Sequence, residues 1–210
     1  MVLIQAEKTL MIEQKRSEFL PPGDQLDAGT IDRPTDACLL VAALLEELGR
    51  VSRSFLDGSN AASFLLEVGT RVHATLLNHM RQYVYNAAGE WVRAGALRWR
   101  NDVARYGEAL RGWGLPALDA RMAAAGSLVG LLLVEPQQLM PLVNGTLRLD
   151  HREAIQYVRL RQDFPVARVN GRSLQQLFGG EEALPGQGAQ GQGQGLPRPP
   201  RGAAGPSGGR

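Results

Sequence analysis

Residues 35–84 read TDACLLVAALLEELGRVSRSF, LDGSN, AASFLLEVGTRVHATLLNHMRQYV, and this stretch decides the fold. Leu40, Leu44, Leu48, Val51 and Phe55 fall at steps of four, four, three and four. That spacing is one face of a helix. Phe64, Val68, Val72, Leu76, Met80 and Val84 then recur every four residues and mark the apolar face of a second helix. Thr35 or Asp36 opens the first helix, Asp57 and Gly58 break it, and Ser59 or Asn60 caps the second. Two long amphipathic helices joined by so short a link predict an antiparallel hairpin.

The flanking sequence extends the helical reading. Val2 to Phe19 forms a helix with Leu3, Ala6, Leu10 and Met11 on one side, ended by Pro21 and Pro22, since proline cannot continue the backbone ladder. This segment opens without a capping signal, and the pattern predicts a start inside a longer element. Gly23 to Pro34 reads as a polar loop. Gly89, Gly95, Gly107, Gly112 and Gly114 interrupt residues 87–114, which predicts short helices and turns. Leu115 to Val134 is apolar on several sides and predicts a central, buried helix ahead of Pro136. Asp150 or a neighbour opens a last helix carrying Tyr157, Leu160 and Phe164, with Pro165 kinking or stopping it. Period-two alternation is not sustained anywhere, so no sheet is predicted. Residues 179–210 contain 11 glycines and only Leu184 and Leu196 as large aliphatics. Such a tail cannot bury enough apolar area to offset ordering its backbone, and it is predicted to be disordered. The expected architecture is an all-α antiparallel bundle over residues 1–178 with that tail attached.

Bulk properties narrow the function classes. A net charge of +2 is too small an excess for a nucleic-acid surface. The single cysteine, Cys38, excludes a disulfide framework and fits a reducing compartment. The N-terminus shows no secretory signal. The longest apolar run, Met122 to Val134, falls short of the roughly 20 residues a span requires, so the chain is expected to be soluble or at most peripheral. His73 and His79 lie about 600° apart around a helix and diverge, and no His-Glu-x-x-His or cysteine pair occurs. Cys38 reads as a small packed hydrophobe rather than a nucleophile. The Glu46-Glu47 pair reads as a solvated face. The Gly-Gln repeats after Gly186 have no flanking strand or helix, and the Asn144-Gly-Thr sequon lacks a secretory context. Nothing here forms a catalytic, cofactor or metal site, and no cofactor is expected.

One cluster stays ambiguous at this level. Arg93, Arg98, Arg100, Arg105 and Arg111 interleave with Trp91, Trp99, Tyr106 and Trp113. In one reading the aromatics pack inward and the arginines stay solvated. In the other, Arg93, Arg98, Trp99, Arg100 and Arg105 contact a partner protein, anionic lipid or, least favoured, a nucleic acid strand.

Several strings resemble, in order, the C-terminal region of the exocyst complex component 5 (Sec-ten subunit) family. They are Glu13-Gln-Lys-Arg-Ser-Glu-Phe19, Pro34-Thr-Asp-Ala-Cys38, Leu56-Asp-Gly-Ser-Asn60, Phe64-Leu-Leu-Glu-Val-Gly-Thr-Arg-Val-His73, Asp102-Val-Ala-Arg-Tyr106, Val134-Glu-Pro136, and Leu160-Arg-Gln-Asp-Phe164 with Ala167-Arg168. The resemblance implies a rod of stacked helical bundles and a non-enzymatic subunit of the assembly that holds secretory vesicles at the plasma membrane before fusion. It implies other exocyst subunits as partners, small GTPases as candidate further ones, no nucleic acid, membrane association only through the complex, and a cytoplasmic location with recruitment to vesicles or plasma membrane. The matched positions read as packing and turn residues. The Arg- and Trp-rich Glu90–Asn101 segment is longer than its family counterpart, and only about the last quarter of a typical member is covered. A partial gene model and a truncated paralogue both fit that coverage. The alternatives are a recyclin-like endosomal recycling factor, whose family carries an upstream F-box, and a stand-alone helical adaptor.

Overall fold

Local signals set the helix ends in the computed structural model, which describes residues 2–20, 31–86 and 93–179. The expected stop at Pro21 and Pro22, most of the Gly23–Pro34 loop, Trp91 and the tail beyond Gly179 lie outside the described residues. Helix α1 spans Val2–Glu13, α2 Asp36–Phe55, α3 Gly58–Met80, α4 Ala94–Arg111 and α5 Pro116–Leu133. Thr35 caps α2 by accepting from the Cys38 amide, and Asp57 caps α3 by accepting from Asn60. These side-chain oxygens satisfy amides that a helix start leaves orphaned. Gly114, at φ +68°, turns the chain between α4 and α5, and Pro116 opens α5 where its missing N–H costs nothing. Beyond α5, a π-helical turn over Leu142–Leu147 leads to α6, His151–Val158.

Packing pairs α4 with α5, α2 with α4, and α3 with α5, while α1 lies against both α2 and α3. Two seams depend on glycine. A Cβ at Gly49 would sit 2.4 Å from Trp113 Nε1, and one at Gly69 would sit 2.4 Å from a Leu118 methyl. Trp113 also donates to the Leu45 carbonyl at 3.2 Å. Phe19, in edge-on contact with Tyr83 and Trp99 and tilted against Tyr85, anchors one end of the core.

Several expectations change here. The first helix stops at Glu13 and a 3-10 turn covers Arg16–Glu18; Met11, expected inside, is 76% exposed. Residues 94–111 form one continuous helix rather than short pieces; Gly95 in its first turn admits the Phe19 backbone. The buried side of α2 is Ala37, Cys38, Val41, Ala42, Leu45, Gly49 and Ser52. Leu40 and Phe55 of the expected stripe are exposed. Small residues win the seam because they let neighbouring backbones approach. A minimal hairpin pairs β1, Arg168–Val169, with β2, Arg172–Ser173. Its turn residues Asn170 and Gly171 both have positive φ, the geometry of a tight two-residue loop. A short α7, Leu174–Phe178, follows with a Ser173–Gln176 capping box. Helix α6 ends at Val158, so Leu160 and Phe164 lie in turns beyond it. Helix α5 is, among the described residues, the one helix long and apolar enough to cross a membrane, longer than the thirteen-residue run read from sequence. Leu118, Met122, Ala125, Val129 and Leu132 bury its inner side within the bundle.

Candidate interaction surface

The Arg- and Trp-rich helix α4 puts its aromatic side chains inward. Trp99, Tyr106 and Trp113 are buried, as their apolar area favours. Arg98 goes in with them, 9% exposed, and pairs with Glu18 at 3.5 Å. Arg93 pairs with Glu135, and Arg105 with Glu46 at 2.6 Å. Arg100 and Arg111 are exposed. Burial therefore removes Trp99 and Arg98 from any contact surface of this conformation, and the ion pairs of Arg93 and Arg105 tie them to the bundle. Among the expected contact residues, Arg100 is the exposed one. Truncating Arg98 to alanine is expected to cost about 1–3 kcal/mol, because Glu18 loses its buried partner. Arg100→Ala should stay within about 0.5 kcal/mol. Chemical denaturation of both variants checks this, and equal effects would contradict the burial assignment.

The polar interior joins helix ends to one another. Asp102, fully buried, accepts from the Thr35 amide at 2.7 Å and from Thr35 Oγ1 at 3.0 Å. Thr35 Oγ1 also lies 3.4 Å from Gln14 Oε1, and Gln14 donates to Glu18 at 2.5 Å. The Cys38 thiol donates to the Asp102 carbonyl at 3.5 Å, and burial pushes it far above the ordinary range. Burial likewise pushes His79 down to about 4, and it packs against the Tyr83 ring. Burial thus keeps the thiol protonated beside the Asp102 carboxyl and the imidazole neutral beside a phenol. Among the described residues no three His, Cys, Asp or Glu side chains gather as a metal site.

Exposed apolar side chains instead collect on one side. Trp113, Asp102 and the Arg53–Gly112 bond place α4 against the Cys38, Gly49 and Arg53 side of α2. The opposite flank of α2 therefore carries Leu40, Leu44, Leu48, Val51 and Phe55. Leu118 beside Gly69 places α5 on one flank of α3. Its other flank carries Phe64, Val68 and Thr75, where Thr75 bonds Glu7 of α1. These two flanks are the walls of a groove between α2 and α3, and α1 lies in it with Ala6 and Leu10 buried. Of the stripes read from sequence, Val72, Leu76 and Met80 lie in the core, whereas Leu40, Phe55 and Phe64 stand exposed.

The profile of the family described as "Exocyst complex component Sec10-like, alpha-helical bundle" matches residues 1–172. The chain belongs to this family. Exocyst complex component 5 of Oryza sativa subsp. japonica is 32% identical over 168 residues, which cover 80% of this chain and 20% of the relative. The Homo sapiens protein of the same name is 27% identical over 167 residues, 79% of this chain and 22% of its own. Exocyst complex component SEC10 of Saccharomyces cerevisiae is 28% identical over 157 residues, 74% and 17% respectively. The chain thus spans about a fifth of the length of these exocyst relatives.

The strings that carry the exocyst resemblance coincide with the joints of the bundle. Thr35 and Cys38 cap α2 and meet Asp102. Asp57 and Asn60 cap α3. Gln14, Glu18 and Phe19 build the turn beneath Trp99. In the Leu-Arg-Gln-Asp string, buried Arg161 donates to the Leu131 and Val134 carbonyls at 3.0 and 2.7 Å while Asp163 holds its other side at 2.8 Å. That guanidinium satisfies carbonyls orphaned at the end of α5.

Proposed function

We propose that this chain contributes a helical bundle to an exocyst assembly that tethers secretory vesicles to the plasma membrane before fusion, acting through protein–protein contacts and without catalysis. The observation that carries this reading is the Sec10-like family match across residues 1–172, nearly all of the described bundle. The polar interior supports it, since its hydrogen bonds tie helix ends together and its titratable groups face one another rather than a cleft. The partners in this reading are other exocyst subunits and small GTPases. Membrane contact comes through the complex, from a cytoplasmic pool recruited to vesicles or the plasma membrane. Affinity purification of the tagged full chain from its own cells is expected to recover other exocyst subunits. A clean preparation lacking all of them would overturn the assignment.

A further inference from the structure

Two Asn-Gly pairs lie among the described residues, Asn144-Gly145 and Asn170-Gly171. Glycine has no side chain to shield its own amide nitrogen from the asparagine before it, so that nitrogen can attack the asparagine Cγ. The fold treats the two pairs differently. Asn144 sits in the π-helical turn Leu142–Leu147, with its Oδ1 2.9 Å from His151 Nε2. Closing a ring there breaks that bond and unwinds the turn. Asn170 and Gly171 instead form the whole two-residue loop between β1 and β2, at φ +51° and +79°. Both are exposed, and a Cβ on Gly171 would meet nothing within 4 Å. The bond that closes such a turn uses the amide of the residue after the glycine, not the glycine's own. Among the described residues, neither the Gly171 N–H nor the Asn170 side chain makes a hydrogen bond.

We propose that Asn170-Gly171 is a covalent modification site, where succinimide formation and hydrolysis convert Asn170 to isoaspartate and unseat α7. The Gly171 nitrogen bonds to Asn170 Cγ, the Cγ–Nδ2 bond breaks, and ammonia leaves carrying the former Gly171 amide proton. Solvent water then opens the ring. Addition at the side-chain carbonyl gives aspartate. Addition at the main-chain carbonyl leaves Gly171 linked through Cγ, as isoaspartate, with an extra carbon in the main chain. That insertion falls on a joint. Arg168 pairs with Ser173 and Val169 with Arg172, a register that the loop length fixes. Ser173 is also the N-cap of α7: its hydroxyl accepts from the Gln176 amide, and Gln176 Oε1 accepts from the Ser173 amide. A helix of five residues is held by its docking rather than by its own backbone bonds. Leu174 and Phe178 supply that docking. Both are buried, and the Phe178 ring meets the His151 ring edge-on at 5.7 Å. A lengthened loop shifts Ser173 and with it the start of α7.

The test ages the full chain in mildly alkaline buffer, folded and in guanidinium, and maps isoaspartate by mass spectrometry of its peptides. In denaturant the two pairs are expected to convert at similar rates, since only local sequence acts there. In the folded chain Asn170 is expected to convert at least about tenfold faster than Asn144, a barrier difference of about 1.4 kcal/mol. Aged wild type should lose hydrogen-exchange protection over residues 174–178 and the shift that the Phe178 ring imposes on His151. An Asn170→Gly variant keeps the left-handed turn without the side-chain amide, and after the same ageing it should keep both signals. Equal rates at the two pairs in the folded chain, or faster conversion at Asn144, would overturn the assignment. So would an Asn170 that stays intact in the folded chain while the denatured chain converts. Isoaspartate at residue 170 with α7 still protected, or equal loss of protection in the glycine variant, would overturn the coupling to α7.

Discussion

Alanine at Gly95 is expected to destabilise the bundle by about 3 kcal/mol or more, against the direction that helix propensity favours. Inside an exposed helix, replacing glycine by alanine gains about 1 kcal/mol. At Gly95, however, a Cβ would sit 1.8 Å from the Phe19 carbonyl oxygen and 2.5 Å from its carbon. The obstacle is backbone, and it cannot rotate away. Phe19 is fully buried, its amide bonds the Arg16 carbonyl at 3.2 Å, and its ring packs on Tyr83, Tyr85 and Trp99. Relief requires moving the turn or the start of α4, and overpacking of that kind costs more than the propensity returns. The Gly95 amide also donates to Asn86 Oδ1 at 3.0 Å, and that bond shifts with the helix start. Gly107, in the same helix, is the control. A Cβ there meets its nearest neighbour, Met122 Cβ, at an ordinary 3.8 Å, so Gly107→Ala should stabilise by up to about 1 kcal/mol. Urea unfolding of the two variants reads opposite signs. A Gly95→Ala protein at least as stable as wild type would mean that the Phe19 turn gives way freely.

The same two glycines show where sequence reading reaches its limit. A glycine in a helical pattern reads as a break, because its flexibility is a property of the residue alone. Whether it instead admits a neighbouring backbone depends on Phe19, 76 positions earlier in the chain, and no local pattern carries that. Capping signals are local, so the starts of α2 and α3 at Thr35 and Asp57 were legible. Apolar spacing gave the stripes of both helices. It left open which stripe faces the core, since a helix seam built from Ala37, Cys38, Ala42 and Gly49 has little hydrophobic bulk to announce it. The larger Leu40 and Phe55 dominate the pattern from the groove side. The spacing alone therefore places Leu40 and Phe55 inside, where the structure leaves them exposed. The arginine cluster drew attention by composition, and tertiary packing then buried its tryptophans.

Asparagine at Asp102 is expected to gain stability over wild type as pH rises, by about 4 kcal/mol between about pH 4 and about pH 8. Burial lifts the Asp102 carboxyl from 3.8 to about 7, against the opposing pull of the Thr35 hydrogen bonds, Arg98 and the Cys38 thiol. Tyr85 and Tyr106 face it as well, and burial keeps their hydroxyls protonated far above neutrality. The folded chain therefore holds a proton that the unfolded chain releases near pH 4. The stabilising contribution of that proton is complete below the unfolded value and is lost as pH climbs through about 7. An asparagine amide cannot ionise, so its contribution is level across the window, while its oxygen still accepts from the Thr35 amide. His79 acts in the opposite sense: burial lowers it to about 4, which removes stability as pH falls through its window. Both proteins carry His79, so it cancels when their unfolding free energies are subtracted, and the difference isolates Asp102. Parallel stability curves for wild type and Asp102→Asn from pH 4 to pH 8 would refute the buried-proton account. A diverging pair would mean that the joint between α2 and α4 is held by a neutral carboxyl in acid and by a strained carboxylate near neutrality. Such a group serves structure at a cost, which fits a residue sealed from solvent inside a scaffold and not one that meets a substrate.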